Sequence, residues 1–254
     1  MVELNFVLDG PHDAPPVVLL NSLGADLSMW EEQVELLAHG HRIVRCDLRG
    51  HGASPVPSGP YLPEELAGDV IDLLDRLEIE RATLVGVSLG GAMALSIAVD
   101  RPQRVERLAV CFSAAQFGPP QSWRERAAKV RADGIDAISD AVLERWFTES
   151  FAESRPQVLA RMRAMLESTP AAGYAACCDA LALLDLRDSL AAVTAPTLVM
   201  SGAEDPATPP VYGRRIAAAV AGAAFAELPG AAHLGNVETP DLFNALLLAH
   251  LQGL

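Results

Sequence analysis

The sequence predicts an α/β fold: a mostly parallel sheet flanked by helices, with an inserted helical lid. Three observations carry this reading. Short apolar runs alternate with helix-period patterns, as parallel strands and their crossover helices do. The alternation stops between about Pro119 and Leu190, where only helical patterns occur, and then resumes. One strand-to-helix junction holds Gly86-Val87-Ser88-Leu89-Gly90.

The elements follow in order. Pro16–Leu20 (PVVLL) is a continuous apolar run, as a strand buried on both faces requires. Trp30–Ala38 has helical spacing of apolar residues. His41–Cys46 (HRIVRC) reads as the second strand and runs into a Gly/Pro-rich loop, Asp47–Pro60. Leu62–Leu77 sets Leu66, Val70, Leu73, Leu74 and Leu77 at helical spacing. Ala82–Val87 is a third strand, Leu89–Val99 an Ala-rich helix and Val105–Phe112 a fourth strand. Inside the lid, Arg155–Ser168 and Ala171–Leu184 are the clearest helices. The strand Thr197–Ser201, the helix Pro209–Val220, the strand Ala224–Leu228 and the helix Thr239–Leu251 complete the chain. The plan is core 1–118, lid 119–190 and core 191–254, with the lid over the carboxyl ends of the strands, where open sheets bind ligands.

Half of the 254 residues are apolar, which suits one globular domain. Nineteen Lys and Arg against 33 Asp and Glu leave a net charge of −14, a surface that repels nucleic acid and anionic membranes. No apolar run approaches the roughly 18 residues of a spanning helix. The start, Met1-Val2-Glu3-Leu4-Asn5, lacks the basic-then-apolar pattern of a secretory signal, so a cytoplasmic protein is expected. Cys46, Cys111, Cys177 and Cys178 are irregularly spaced and read as packing residues, with neither a disulfide framework nor a zinc site. The composition leaves a homo-oligomer open.

Gly86–Gly90 is a G-x-S-x-G motif placed where a buried strand gives way to a helix. That context makes it a nucleophile elbow, a strained turn that projects the Ser88 hydroxyl at the top of the sheet. A serine hydroxyl needs a base to take its proton, and in this arrangement acid and base follow the serine in the chain. Only His233 and His250 do so. His250 sits near the end of the last helix, whereas His233 lies in a small-residue loop just after a strand, which suits an imidazole base. The preceding strand ends in Gly202-Ala203-Glu204-Asp205-Pro206, where Asp205 fits the acid and Glu204 is the alternative. His51, within DLRGHGAS, precedes the serine and reads as part of a rigid structural loop. Oxyanion donors are expected at the Leu89 N–H, after the nucleophile, and at the Leu23 N–H, in the Asn21-Ser22-Leu23-Gly24 turn.

DLRGHGAS, GVSLGG, GAEDPATPP and GAAHLGNVE resemble the α/β-hydrolase superfamily. NSLGADLSMW, GHGASPVPSGPY, the lid run RWFTESF and TPAAGYAACCDAL followed by DLR resemble more narrowly the 3-oxoadipate enol-lactonase family of aromatic-compound degradation, over nearly the whole chain. Some members are fused to a carboxymuconolactone decarboxylase; with the chain stopping at Leu254, no such domain is expected. The resemblance implies opening of an enol-lactone with an acetate arm, through an acyl-enzyme on Ser88, to 3-oxoadipate, in the protocatechuate (β-ketoadipate) route. It implies no metal and no organic cofactor.

Such a substrate is a small anion, a poor match for a chain of charge −14. The lid carries nine Arg and Lys against eleven Asp and Glu, so it is nearly neutral, and an arginine there can meet a carboxylate in bidentate fashion. Arg145 and Arg126 are the first choices because each lies within a turn of a lid tryptophan, Trp146 or Trp123, that can wall the same pocket. The competing readings are another carboxylesterase, lactonase, C–C bond hydrolase or perhydrolase on the same scaffold, and a non-catalytic ligand receptor.

Overall fold

The computed structural model describes residues 2–254. Seven strands form one sheet: β1 (Phe6–Asp9), β2 (Pro16–Leu20), β3 (Arg42–Cys46), β4 (Ala82–Val87), β5 (Val105–Cys111), β6 (Thr197–Gly202) and β7 (Ala224–Leu228). Their spatial order is β1-β3-β2-β4-β5-β6-β7, with β1 antiparallel to β3 and all other pairs parallel. The central strands β2, β4 and β6 are buried almost throughout, which is why they read as unbroken apolar runs. Strand β1 is an addition to the expected set. Its four residues are half exposed at the sheet edge, so they carry no continuous apolar signal.

Before the lid come α1 (Glu31–Leu37), α2 (Pro63–Arg76) and α3 (Leu89–Asp100). A short 3₁₀ turn, Leu27–Trp30, precedes α1 and is capped by the Asp26 side chain, which accepts the Ser28 N–H at 2.8 Å. Helix α3 packs against β4 and β5 on one side and α2 on the other. Being covered all round, it is built of small apolar residues instead of an amphipathic stripe.

The stretch after β5 is helical, as expected: α4 (Pro120–Asp133), α5 (Ser139–Trp146), α6 (Glu149–Ser154), α7 (Pro156–Ser168) and α8 (Ala171–Leu183). Helix α4 lies along α8. Helix α8 meets the loop after β3 backbone to backbone: a Cβ on Gly173 would stand 2.3 Å from the Gly50 carbonyl oxygen. A side chain at either glycine would lift the lid from the core. The chain closes with α9 (Pro210–Ala219), α10 (Gly235–Glu238) and α11 (Pro240–Gln252). Among the described residues no helix is long and apolar enough to cross a membrane.

Candidate active site

Ser88 sits between β4 and α3 with φ 54° and ψ −114°. A non-glycine residue there is strained by roughly 1–3 kcal/mol, and the surroundings must hold it. They do so at both ends. The Ser88 N–H donates to the Cys111 carbonyl at 2.9 Å, and the Ser113 hydroxyl donates to the Ser88 carbonyl at 2.7 Å. The motif glycines permit the turn. A Cβ on Gly86 would lie 2.3 Å from the Gly90 carbonyl carbon, and one on Gly90 would lie 2.2 Å from the Leu20 carbonyl oxygen.

His233 follows β7 in the loop before α10, and Asp205 follows β6. His233 Nδ1 lies 2.8 Å from Asp205 Oδ2. The Thr208 hydroxyl donates to the same Oδ2 at 2.7 Å. Asp205 Oδ1 accepts the N–H groups of Ala207 and Thr208 at 2.8 and 2.9 Å. Burial alone would raise the Asp205 pKa, but the His233 charge and hydrogen bond, with the bonds from Thr208, hold it below the ordinary value. The carboxylate is therefore ionised at neutral pH and fixes the proton of the neutral imidazole on Nδ1, leaving Nε2 free to accept. Glu204, by contrast, is exposed. Ser88 and His233 line one cleft, and among the described residues no hydrogen bond joins Ser88 Oγ to the imidazole.

The Asn21–Gly24 turn is braced from three sides. Asn21 Nδ2 donates to the Cys46 carbonyl at 3.0 Å, Trp30 Nε1 donates to Asn21 Oδ1 at 3.0 Å, and the Asn21 carbonyl accepts the Gly90 N–H at 3.0 Å. The Gly24 N–H donates to His51 Nε2 at 2.9 Å, and His51 Nδ1 faces the Arg49 carbonyl at 3.2 Å. These bonds leave the N–H groups of Leu23 and Leu89 without a partner among the described residues, in a site where both residues are buried. Two buried, unpaired donors beside a strained serine are suited to receive an oxyanion.

His51 thus works as an acceptor in the core, and burial pushes its pKa down to about 4. His51→Leu orphans the Gly24 N–H at an expected cost of about 1–3 kcal/mol, read as a lower urea midpoint with unchanged slope. The acid response tests the same assignment. Unfolding releases this imidazole to its ordinary value, so wild-type stability should fall as pH drops below about 6.5. His51→Leu should lose about one proton from that slope; an unchanged slope would remove His51 from the account.

The cleft is lined by Ser22, Leu23, Ser88, His233 and Thr208 from the core, and by Trp123, Arg126, Val142, Arg145, Trp146 and Tyr174 from the lid. The structure therefore brings all four lid residues singled out in the sequence to one wall. A neighbouring cavity shares Phe117, Trp123, Arg126, Arg145 and Ala207 with it and continues to Pro206 and Tyr212, so both arginines lie where the two meet. The Arg126 guanidinium stands 4.9 Å from the Trp123 ring centroid. Burial, and next the charge of Arg126, push the Arg145 pKa below its ordinary value. Neither arginine pairs with a carboxylate among the described residues, whereas Arg131, Arg161, Arg163 and Arg187 pair with Asp179, Glu31, Asp140 and Asp185. Two unneutralised guanidiniums in one cleft attract an anion. Thr208, Tyr174 and Ser22 belong to the site without having been singled out. Thr208 alone had a signal, standing three residues after Asp205 in a Pro-bounded turn.

The model of the α/β hydrolase fold family matches residues 15–240. A 3-oxoadipate enol-lactonase of Acinetobacter baylyi is 39% identical over 243 residues, which cover 96% of this chain and 91% of that protein. The crystal structure of the enol-lactonase from Burkholderia xenovorans LB400 superposes with a TM-score of 0.97 at 44% identity, covering 99% of this chain and 97% of the other. A thermophilic esterase from Thermogutta terrifontis, described with malate bound, superposes with a TM-score of 0.94 at 30% identity, covering 99% and 94%.

Proposed function

The chain belongs to the α/β-hydrolase family, and from that premise we propose that it is a serine-dependent ester and lactone hydrolase whose substrate is 3-oxoadipate enol-lactone. Ser88 Oγ attacks the lactone carbonyl while His233 Nε2 takes its proton. Asp205, held at Nδ1, orients the ring and stabilises the imidazolium. The N–H groups of Leu23 and Leu89 receive the tetrahedral oxyanion. Cleavage of the ring C–O bond expels an enolate, an easier leaving group than an alkoxide, which takes the proton from the His233 imidazolium and becomes the ketone. The neutral His233 then deprotonates a water molecule that attacks the acyl-enzyme, and the imidazolium returns that proton to Ser88 Oγ as the acyl C–O bond breaks and 3-oxoadipate leaves. No step calls on a metal or organic cofactor.

The observation that carries the substrate assignment is the pair of arginines, Arg126 and Arg145, that line the same cleft as Ser88 with no carboxylate partner among the described residues. An acetate arm on the lactone supplies the carboxylate they lack. A charge-assisted hydrogen bond is worth about 1.5–3 kcal/mol, so the free lactone acid should exceed its methyl ester roughly tenfold to a hundredfold in kcat/KM. Added salt should narrow the gap. Arg145→Met or Arg126→Met should erase it while hydrolysis of p-nitrophenyl acetate persists. Equal rates for acid and ester would return the protein to the general carboxylesterases.

A further inference from the structure

Glu238, the last residue of α10, lies in the core with 9% of its surface exposed, and among the described residues it pairs with no cation. Its carboxylate instead receives three hydrogen bonds from two separate parts of the molecule. Oε2 accepts the N–H of Ala232, the residue before His233, at 2.7 Å. Oε1 accepts the N–H of Thr148 at 2.9 Å and the Thr148 hydroxyl at 2.5 Å. Thr148 lies in the lid between α5 and α6, two residues after Trp146. A fourth bond runs alongside, from the Leu234 N–H to the Trp146 carbonyl at 3.0 Å. The residues on both sides of His233 are therefore tied to the segment that carries Arg145 and Trp146.

We infer that Glu238 is a positioning residue that locks the imidazole loop to the arginine-bearing end of α5, so that base and anion-binding wall keep one fixed relation across the cleft. The loop needs such a tie. Gly230-Ala231-Ala232 packs its two buried methyl groups but has no side chain able to hydrogen-bond, so its polar ties are made by its backbone, through the Ala231 carbonyl to the Glu204 N–H and the Ala232 N–H to Glu238. A carboxylate is suited to the task because all its neighbours here are donors, and two oxygens can serve two segments at once. A misplacement of the base by about 1 Å costs on the order of a hundredfold in rate. The lid half of this inference rests on the proposed reading of Arg145; the imidazole half does not.

The two halves separate by mutation. Glu238→Ala releases both segments. On p-nitrophenyl acetate, which has no carboxylate, its kcat should fall roughly tenfold to a hundredfold. The preference for mono(p-nitrophenyl) succinate over its methyl ester should shrink with it. Glu238→Gln, which keeps the shape but sets an NH₂ against a backbone N–H, should give the same pattern more mildly and serves if the alanine variant does not fold. Thr148→Val removes the lid hydroxyl, which bonds Glu238 and also caps α6 by accepting the Phe151 N–H at 3.3 Å, while the Thr148 N–H to Glu238 remains. It should raise KM for the anionic succinate ester about threefold to tenfold, leave kcat on p-nitrophenyl acetate within about twofold, and be rescued by Thr148→Ser. Glu238 variants that lose thermal midpoint but keep kcat on the neutral ester would overturn the inference, as would a Thr148→Val enzyme that loses neutral-ester kcat as heavily as Glu238→Ala. If the wild type shows no anionic preference, the arginine reading fails by itself, and kcat on the neutral ester alone decides the role of Glu238.

Discussion

Ser88→Ala should lower kcat on any ester by a factor on the order of 10⁶ while leaving the unfolding midpoint where it was. The rate loss follows from position. Ser88 is the residue that the elbow presents to the cleft, flanked by the unpaired N–H groups of Leu23 and Leu89. The nearby hydroxyls cannot replace it. Ser113 is engaged in donating to the Ser88 carbonyl, and Ser22 lies on the Asn21–Gly24 turn, outside the elbow. The stability expectation is as specific. Alanine keeps the Cβ and with it the strain at φ 54°, and among the described residues the lost hydroxyl donates no hydrogen bond that folding would miss. A fluorophosphonate should label Ser88 and no other serine. A label elsewhere, or a variant with near-normal turnover, would sink the assignment.

The juxtaposition of Ser88, Asp205 and His233 was legible in the chain because each lies in the turn or loop that follows a parallel strand of one sheet, and parallel strands deliver their carboxyl ends to a common edge. The lid was legible as a break in alternation. What stayed hidden depends on partners distant in sequence. Nothing in the text DLRGHGAS says that His51 meets Gly24, 27 positions earlier. Glu238 and Thr148 are 90 positions apart, and neither sits in a pattern that announces a bond. The lid arginines look alike as letters. Arg163 is held by Asp140 on a neighbouring helix, whereas Arg126 and Arg145 line the cleft with no carboxylate partner among the described residues. Strand β1 escaped for a local reason, since four half-exposed residues at an edge have little apolar pattern to show.

Asp205→Asn should cost about 10⁴-fold in kcat, and Glu204→Gln almost nothing. The difference comes from what each carboxylate touches. Glu204 is exposed, and the contact it makes with the site is through its backbone, its N–H donating to the Ala231 carbonyl at 3.0 Å. That bond survives Gln. Asp205 is buried between two sets of donors. Its Oδ1 must accept two backbone N–H groups, from Ala207 and Thr208. In the Asn variant the amide oxygen has to occupy that side, because an NH₂ there would oppose both donors. The NH₂ group is then forced toward His233 Nδ1 and the Thr208 hydroxyl, where Oδ2 stood. An NH₂ donates, so it selects the tautomer with a bare Nδ1 and a proton on Nε2. The nitrogen that faces the cleft can then no longer take the Ser88 proton, although every heavy atom is in place. The imidazole nitrogen shifts in NMR report this tautomer directly and should exchange roles between wild type and variant. Acid behaviour gives a second check. The Asp205 pKa is held below its unfolded value, so its contribution to stability is present above the ordinary carboxylate range and disappears as pH falls through the folded value. Asp205→Asn should lack that part of the acid transition. Equal and small rate losses in the Asn and Gln variants would place the acid on another strand end.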